Sequence, residues 1–453
     1  MERTDLSEIS KAVSGKLTGG TTVVSGVSID TRTIKNGDVF FAIRGDRYDG
    51  HKFIEVAVSK GAAGVVVSKA CKKNSGFPSI IIKDTLSALQ GFAKYYRSKY
   101  DITVIGVTGS NGKTTTKDLL SSIISTRAKA ISTEGNLNNH VGVPLTLFRL
   151  DRSHKYCIIE MGANHTGEIA KLTEIAKPSC GIITNIGLAH IGNFGTLKKI
   201  LESKMELFNN LNKNGWAIIN SDDANISPAA VKIKCRKKSF GIKNKADVMA
   251  IDINLGSRGT SFNMMYKGIR TNIKIPLPGL FNVYNALAAA AASFACASDI
   301  TPGDIAYGIK NFMPQPKRMQ VITLRDGTVL VNDAYNANPT SMLDSIENFS
   351  KIFYNKRKIL VLGDMLELGR YGVQEHKKIG RLIAEKKSAK MILATGPLSK
   401  NIADESNGIW FKNKENLYKY LKENMLPGDA VFFKASRLIA LEEIVSKLNS
   451  GRN

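Results

Sequence analysis

A chain of 453 residues is too long for one ordinary hydrophobic core and predicts two or three domains. Its hydrophobic share of 43% suits globular domains, while its longest apolar run, residues 286–297, is too short to span a bilayer and argues against membrane insertion. The net charge of +25 is spread along the chain in lysine runs without interleaved aromatics, so it reads as surface composition rather than a nucleic-acid footprint.

The first ten residues mix both charges and lack an apolar segment, so no secretory signal is expected and the cytoplasm is the default compartment. Cys71, Cys157, Cys180, Cys235 and Cys296 show no paired spacing. Such a set argues against a disulfide framework or a zinc site and predicts reduced, buried thiols. Residues 1–97 read as a mixed α/β domain, with strands at 22–27, 39–42, 64–67 and 80–82 and a helix at 86–99 leading out of it. From a strand at 102–107 onward, strands (156–159, 181–184, 217–219) alternate with helices (from 114, at 166–176, at 197–209). That alternation predicts a parallel sheet covered by helices. An antiparallel flank at 237–276 and a helix at 282–297 complete a central domain of residues 98–313. Pro314 and Pro316 mark a linker. Residues 314–453 alternate again, with strands at 328–331, 358–362, 391–394 and 430–433. The fold class is α/β in three domains: a central P-loop parallel-sheet ATPase domain, an N-terminal mixed α/β substrate domain and a C-terminal Rossmann-like domain.

Between the strand at 102–107 and the helix from 114 stands Gly106-Val-Thr-Gly-Ser-Asn-Gly-Lys113-Thr114-Thr115. The small residues Gly109, Ser110, Asn111 and Gly112 let a backbone wrap a phosphate with its N–H groups turned inward. Lys113 supplies positive charge to the β- and γ-phosphates, and Thr114 sets a hydroxyl where Mg²⁺ would sit. The strict P-loop spacing is not met, because Val107 stands where its first glycine would be. The loop indicates a nucleotide, not a reaction. Glu160 ends the next strand, where a carboxylate can reach a cation held by the loop. His190 follows the strand after that, in Thr184-Asn-Ile-Gly-Leu-Ala-His190, and could hold a second cation. Lys204, by spacing alone, reads as a solvated helix lysine.

Taken together, these residues resemble the Mur ligase family, which includes the folylpolyglutamate synthases. The phosphate loop, Glu160-Met-Gly, the Asn185 to His190 segment and the Lys204 helix occur in the family's order. So do Asn136-Leu-Asn-Asn-His-Val-Gly-Val-Pro144 and Asn282-Val-Tyr-Asn285. Within the family, Asp333-Ala-Tyr-Asn-Ala-Asn-Pro-Thr-Ser-Met342, Leu362-Gly-Asp-Met-Leu-Glu-Leu-Gly369, and His376 with Gly380 resemble the branch that adds D-alanyl-D-alanine. The Asp-Asn-Pro-Arg motif of the diaminopimelate- or lysine-adding branch is absent.

The resemblance implies an ATP-dependent ligase acting through an acyl phosphate, with UDP-N-acetylmuramoyl-tripeptide and D-alanyl-D-alanine as partners and a monomeric enzyme. It implies that Gly109 to Thr115, Asn282, Asn285, Arg318 and Asp333 serve ATP. It assigns Mg²⁺, in two sites, to Thr114, Glu160, His190 and a carbamylated Lys204, with Lys113, His190 and Lys204 at the chemistry. Ser28, Asp30, Thr31, Arg32, Gly45, Asp46, Asn138, Asn336, Lys434, Ser436 and Arg437 are the implied substrate contacts. The turn 45–51 resembles a substrate-binding turn for the muramoyl-peptide chain, with a plain surface turn as the alternative, and Asn336 and Asn338 are no more than candidates for holding the dipeptide. Two positions depart from the family pattern: Phe281 precedes Asn282 where histidine is usual, and Ala435 stands where glycine is usual. A sister ligase adding a different amino acid is the nearest competing reading, followed by a basic P-loop NTPase acting on nucleic acid and a non-catalytic scaffold.

Overall fold

The computed structural model describes residues 1–45, 48–68 and 76–450. Three large sheets follow one another along the chain, and each is built from its own stretch of sequence.

The first has five strands in the spatial order Lys16–Thr18, Ser79–Ile81, Gly64–Val67, Asp38–Phe41 and Gly26–Ser28. The strand expected at 22–27 is divided. Val23–Val24 pairs antiparallel with Thr4–Asp5, whereas Gly26–Ser28 runs parallel to Asp38–Phe41. Ser25 is the crossing point, tied by its N–H to Gly37 O at 2.9 Å. A Cβ on Gly26 would fall 2.0 Å from Asp38 Oδ1, so a larger residue at this crossing would have to displace the Asp38 carboxylate. The helix Thr85–Ser98 is capped by the Asp84 side chain on Leu86 N–H and buries Leu89, Phe92 and Tyr96. It fastens this domain to the next: Phe92 stands 4.9 Å from the Phe148 ring, and Tyr96 Oη donates to Leu150 O at 2.7 Å.

The central sheet has nine strands. Seven run parallel, from Ala130–Ser132 at one edge through Tyr156–Glu160, Thr103–Thr108, Cys180–Ile183, Trp216–Asn220 and Arg236–Gly241 to Val248–Gly256. Only Gly259–Tyr266 and Ile269–Ile275 turn antiparallel, so the expected antiparallel flank starts later than the sequence suggested. The reason is register. Only Phe240 and Gly241 pair with Val248 and Met249, and this offset lets the short link 242–247 return the chain without a crossover helix. Helices Lys113–Ile124 and Leu280–Cys296 cover one face through Leu119, Leu120, Ile123, Val283 and a buried run of alanines.

Small residues bring helices close here. Gly308, on the helix Pro302–Lys310, leaves no room beside Lys113–Ile124, because a Cβ would stand 2.6 Å from Ile123 Cα. Gly308→Ala is expected to destabilise the protein by about 1–3 kcal/mol through overpacking. Thermal unfolding checks this, and an unchanged midpoint refutes it.

The third sheet orders Gln320–Thr323, Val329–Asn332, Ala430–Lys434, Lys358–Gly363, Met391–Thr395 and Ile409–Phe411, all parallel except the first. Its two edge strands and the helices Lys400–Ser406 and Lys414–Asn424 had no sequence forecast. The edges are short and partly exposed, and Lys414–Asn424 buries only Leu417 and Leu421, so neither carries a strong apolar period. Cys157, Cys180 and Cys235 are buried free thiols, as expected; Cys296 is only half-buried, and Cys71 lies outside the described residues.

Candidate active site

Thr103–Thr108 is flanked by Tyr156–Glu160 and Cys180–Ile183, so the C-terminal ends of three parallel strands open on one crevice. The phosphate loop crosses its floor. Val107 belongs to the strand, paired with Glu160 and Ile182, which is why the strict loop spacing fails there. The loop is held by close approach and by amides. A Cβ on Gly109 (φ 143°) would lie 2.0 Å from Thr184 Oγ1, and one on Gly112 (φ 78°) 2.2 Å from Asn285 Oδ1. Asn111 N–H donates to Asn185 Oδ1 at 2.9 Å, and Ser110 Oγ donates to Gly187 O at 2.9 Å. The Lys113 ammonium folds onto its own loop, donating to Gly109 O at 2.9 Å and Ser110 O at 3.3 Å. Enclosure pushes its pKa down, with Glu160 opposing and Arg318 adding to the shift. Thr114 and Thr115 are buried in the first turn of the helix that Lys113 begins.

Glu160 is buried at the strand end. Its Oε1 accepts from Asn138 Nδ2 at 2.8 Å, while Oε2 is enclosed with no hydrogen-bond partner among the described residues. An orphaned buried carboxylate oxygen costs free energy unless a cation meets it, so the donor set of Glu160 and the Thr114 hydroxyl fits a hard divalent ion. Lys204, expected on spacing to be solvated, is only 3% exposed. Burial and the neighbouring Lys113 push its pKa down to about 7. The Phe194 ring lies 5.5 Å from its ammonium, and no carboxylate pairs with it among the described residues. His190 begins the short helix Ile191–Phe194. Its Nδ1 lies 2.7 Å from Glu367 Oε2, near enough for an ion pair although out of line for a regular hydrogen bond. Asn282 and Asn285 stand on the first turns of Leu280–Cys296, where Asn285 Nδ2 donates to Asn282 Oδ1 and Asn285 Oδ1 accepts from Thr116 Oγ1.

The third domain reaches this crevice. Arg318 donates through an Nη atom to Thr114 Oγ1 at 3.0 Å, and its guanidinium stacks 3.9 Å from the Tyr335 ring centre. Arg437 approaches the same ring at 5.6 Å. A cavity of about 260 Å³ opens between Thr114, Lys117, Asn136, Arg318, Tyr335 and Arg437. Asn338 caps the helix Pro339–Ile352 with Oδ1 and donates its amide to Asn111 Oδ1 at 2.7 Å, linking that helix to the phosphate loop. Asp333, expected at the nucleotide, is engaged within its own domain: it pairs with Lys434 and accepts from Ser345 Oγ and Met319 N–H. That network fixes the backbone beside Arg318. Lys434 also donates to Asn336 O, and Ser436 Oγ accepts from Leu366 N–H at 2.8 Å, so both brace this domain's loops.

The first-domain candidates stand apart from the crevice. Asp30 pairs with the exposed Arg32, which holds its carboxyl down at about 2, while Ser28 Oγ closes a tight turn on Asp30. Thr31 O accepts from Lys60 Nζ. Gly45 lies in a turn closed by Gly45 N–H on Tyr48 O, and Asp46 lies outside the described residues. Among the described residues, none of these bonds to the phosphate loop. Tyr335, Asn185 and Glu367 were passed over as site residues. Each sits inside a quoted motif, and only the three-dimensional contacts give it a role.

Models of Mur ligase domains match along most of the chain: the Mur ligase family catalytic domain over residues 23–97, the middle domain over 107–293 and the glutamate ligase domain over 317–437. The chain belongs to the Mur ligase family. It is similar to the UDP-N-acetylmuramoyl-tripeptide–D-alanyl-D-alanine ligase of Bacillus subtilis, with 37% identity over 94% of this chain and 93% of that one. The ligase of the same name from Escherichia coli is 34% identical over 98% of both chains. Among solved structures, MurF from Acinetobacter baumannii superposes with a TM-score of 0.93 at 30% identity over 99% of each chain. MurF ligase from Thermotoga maritima in complex with ADP superposes with a TM-score of 0.84 at 27% identity, over 94% of this chain and 97% of that one.

Proposed function

We propose that this chain joins D-alanyl-D-alanine to UDP-N-acetylmuramoyl-tripeptide at the expense of ATP, for peptidoglycan precursor synthesis. The observation that carries this reading is Arg318: a residue beyond the linker hydrogen-bonds Thr114 at the head of the phosphate-loop helix. A nucleotide-only domain has no use for such a reach, whereas a ligase must bring an amine carried by one domain to an acid activated on another.

A carboxylate is a poor electrophile, and its condensation with an amine in water is uphill. Transfer of the γ-phosphoryl group of ATP to the tripeptide carboxylate gives an acyl phosphate and ADP. The neutral amine of the dipeptide then attacks the acyl carbon. The tetrahedral adduct expels phosphate, forms the amide and releases the amine's proton. The protein's work is positioning and charge neutralisation. The loop N–H groups and Lys113 hold the phosphates. Asn282 and Asn285 face the base, and Arg318 meets the transferring group. Thr114 and Glu160 would hold one Mg²⁺, and His190 with a carbamylated Lys204 a second; bound there, the cations offset charge on the phosphoryl oxygens. Lys204 supports this through chemistry. An amine with a pKa near 7 is substantially neutral at pH 7 and so adds to carbon dioxide, losing a proton and becoming an anion.

Asn138, which donates to Glu160, is assigned to the acceptor substrate. Ser28, Asp30, Thr31, Arg32, Gly45 and Asp46 are assigned to the UDP-muramoyl part, and Asn336, Lys434, Ser436 and Arg437 to the dipeptide side. A reaction that consumes ATP belongs in the cytoplasm, and no described helix is long and apolar enough to cross a membrane. Phosphate release tests the proposal. It is expected to require UDP-muramoyl-tripeptide and D-alanyl-D-alanine together, and to fail when diaminopimelate, lysine or glutamate replaces the dipeptide. Release stimulated by nucleic acid and indifferent to both peptides would refute it.

A further inference from the structure

Segment 190–195 of the central domain is clamped by segment 367–371 of the third. Besides the 2.7 Å approach of His190 Nδ1 to Glu367 Oε2, Gly192 N–H donates to Glu367 O at 3.0 Å, and Tyr371 Oη donates to Gly195 O at 2.7 Å. The fit has no slack: a Cβ on Gly192 would stand 2.6 Å from Gly369 N and 2.7 Å from Glu367 O. His190 (φ 54°) and Glu367 (φ 65°) both hold the left-handed backbone that side-chain-bearing residues seldom adopt. Strained residues facing each other across a domain boundary persist only where their surroundings over-determine them, and such strain gathers at functional sites.

A carboxylate 2.7 Å from Nδ1 favours the tautomer with the proton on that nitrogen and holds the ring by charge, which leaves Nε2 as the nitrogen that can offer a lone pair to a cation. The short helix that follows His190 also carries Phe194, whose ring covers the Lys204 ammonium. The clamp therefore bears on both groups assigned to the second cation.

We propose that Glu367 is a positioning residue: docking of the third domain brings its carboxylate onto His190 and completes the second-cation position only in the closed enzyme. This rests on the two-cation reading above. It makes full charge neutralisation at the phosphoryl group wait for the domain that carries the amine.

The test uses full-length wild type, Glu367→Ala, Glu367→Gln and Gly192→Ala, each checked for folding by thermal unfolding. Mn²⁺ binding is titrated by the paramagnetic resonance of the free ion, with a non-hydrolysable ATP analogue, UDP-muramoyl-tripeptide and D-alanyl-D-alanine present. Wild type is expected to take two ions. Glu367→Ala should weaken the second by roughly 10–100-fold and leave the first within about twofold. Glu367→Gln, which keeps an acceptor, should fall between. Gly192→Ala should also lose the second ion, although His190 and Glu367 are both intact. A second ion bound at wild-type affinity in Glu367→Ala, or both ions weakened alike, overturns the proposal. A single ion in wild type overturns the two-cation reading itself, and is visible before any variant is compared.

Discussion

Lys113→Ala is expected to lower ADP production by roughly a thousandfold, about 4 kcal/mol in the barrier, with both peptides and magnesium supplied. The lysine stands where the phosphate loop becomes a helix, and its ammonium donates to Gly109 O and Ser110 O. Burial, with Arg318 adding to it and Glu160 opposing, pushes the pKa of this ammonium down, and an anionic phosphate oxygen would replace the two neutral carbonyls readily. Alanine keeps the helix start, since Gly112 supplies the cap and alanine is a strong helix former. The fold should therefore survive while the positive charge on the transferring group is lost. Turnover above a tenth of wild type in a folded variant would remove Lys113 from the chemistry.

Much of this crevice was legible in the chain because its parts are short and local. A glycine-rich turn between a strand and a helix, and a carboxylate ending the neighbouring strand, follow from the order of elements alone. What the sequence hid is burial and pairing over distance. Lys204 has the spacing of a solvated lysine on Leu197–Asn209, and nothing in that period reveals that it is buried with the Phe194 ring over its ammonium. The motif residues His376 and Gly380, quoted only as marks of the family branch, have architectural places in the fold. His376 is fully buried, its Nε2 accepting from Met365 N–H at 3.0 Å, so it braces the turn that presents Glu367. Gly380 makes room for the helix Lys400–Ser406, because a Cβ there would meet Ile402 O at 2.7 Å. Asp333 likewise acts on its neighbour: through Met319 N–H it sets the backbone from which Arg318 reaches Thr114. The strand expected at 22–27 failed for the complementary reason, since alternation in a short apolar run does not say which sheet each half will join.

Lys204→Ala is expected to cost at least roughly a hundredfold in turnover, and added acetate or formate should restore part of it. The argument begins with cost. Burial first, and then the charge of Lys113, hold this lysine down to about 7 against an ordinary value of 10.5; Glu168 and Glu206 oppose the shift from a distance, and no carboxylate pairs with the ammonium among the described residues. Between those two values the unfolded chain binds more protons than the folded one, so the stability penalty is full below pH 7 and fades as pH rises toward 10.5. Lys204→Met, which keeps the length and drops the charge, should therefore unfold at the same or a higher temperature at pH 6–7 while remaining inactive. An inactive variant that is no less stable separates the lysine's chemical role from a packing role. Carbamylation explains why a protein would keep so costly a residue, for it exchanges a cation crowded against Lys113 for an anion that attracts both Lys113 and a divalent ion. A short carboxylic acid diffusing into the space left by Lys204→Ala supplies the same negative oxygens, which a structural lysine would not need. Wild-type turnover in Lys204→Ala without any added acid would show that this lysine only fills space.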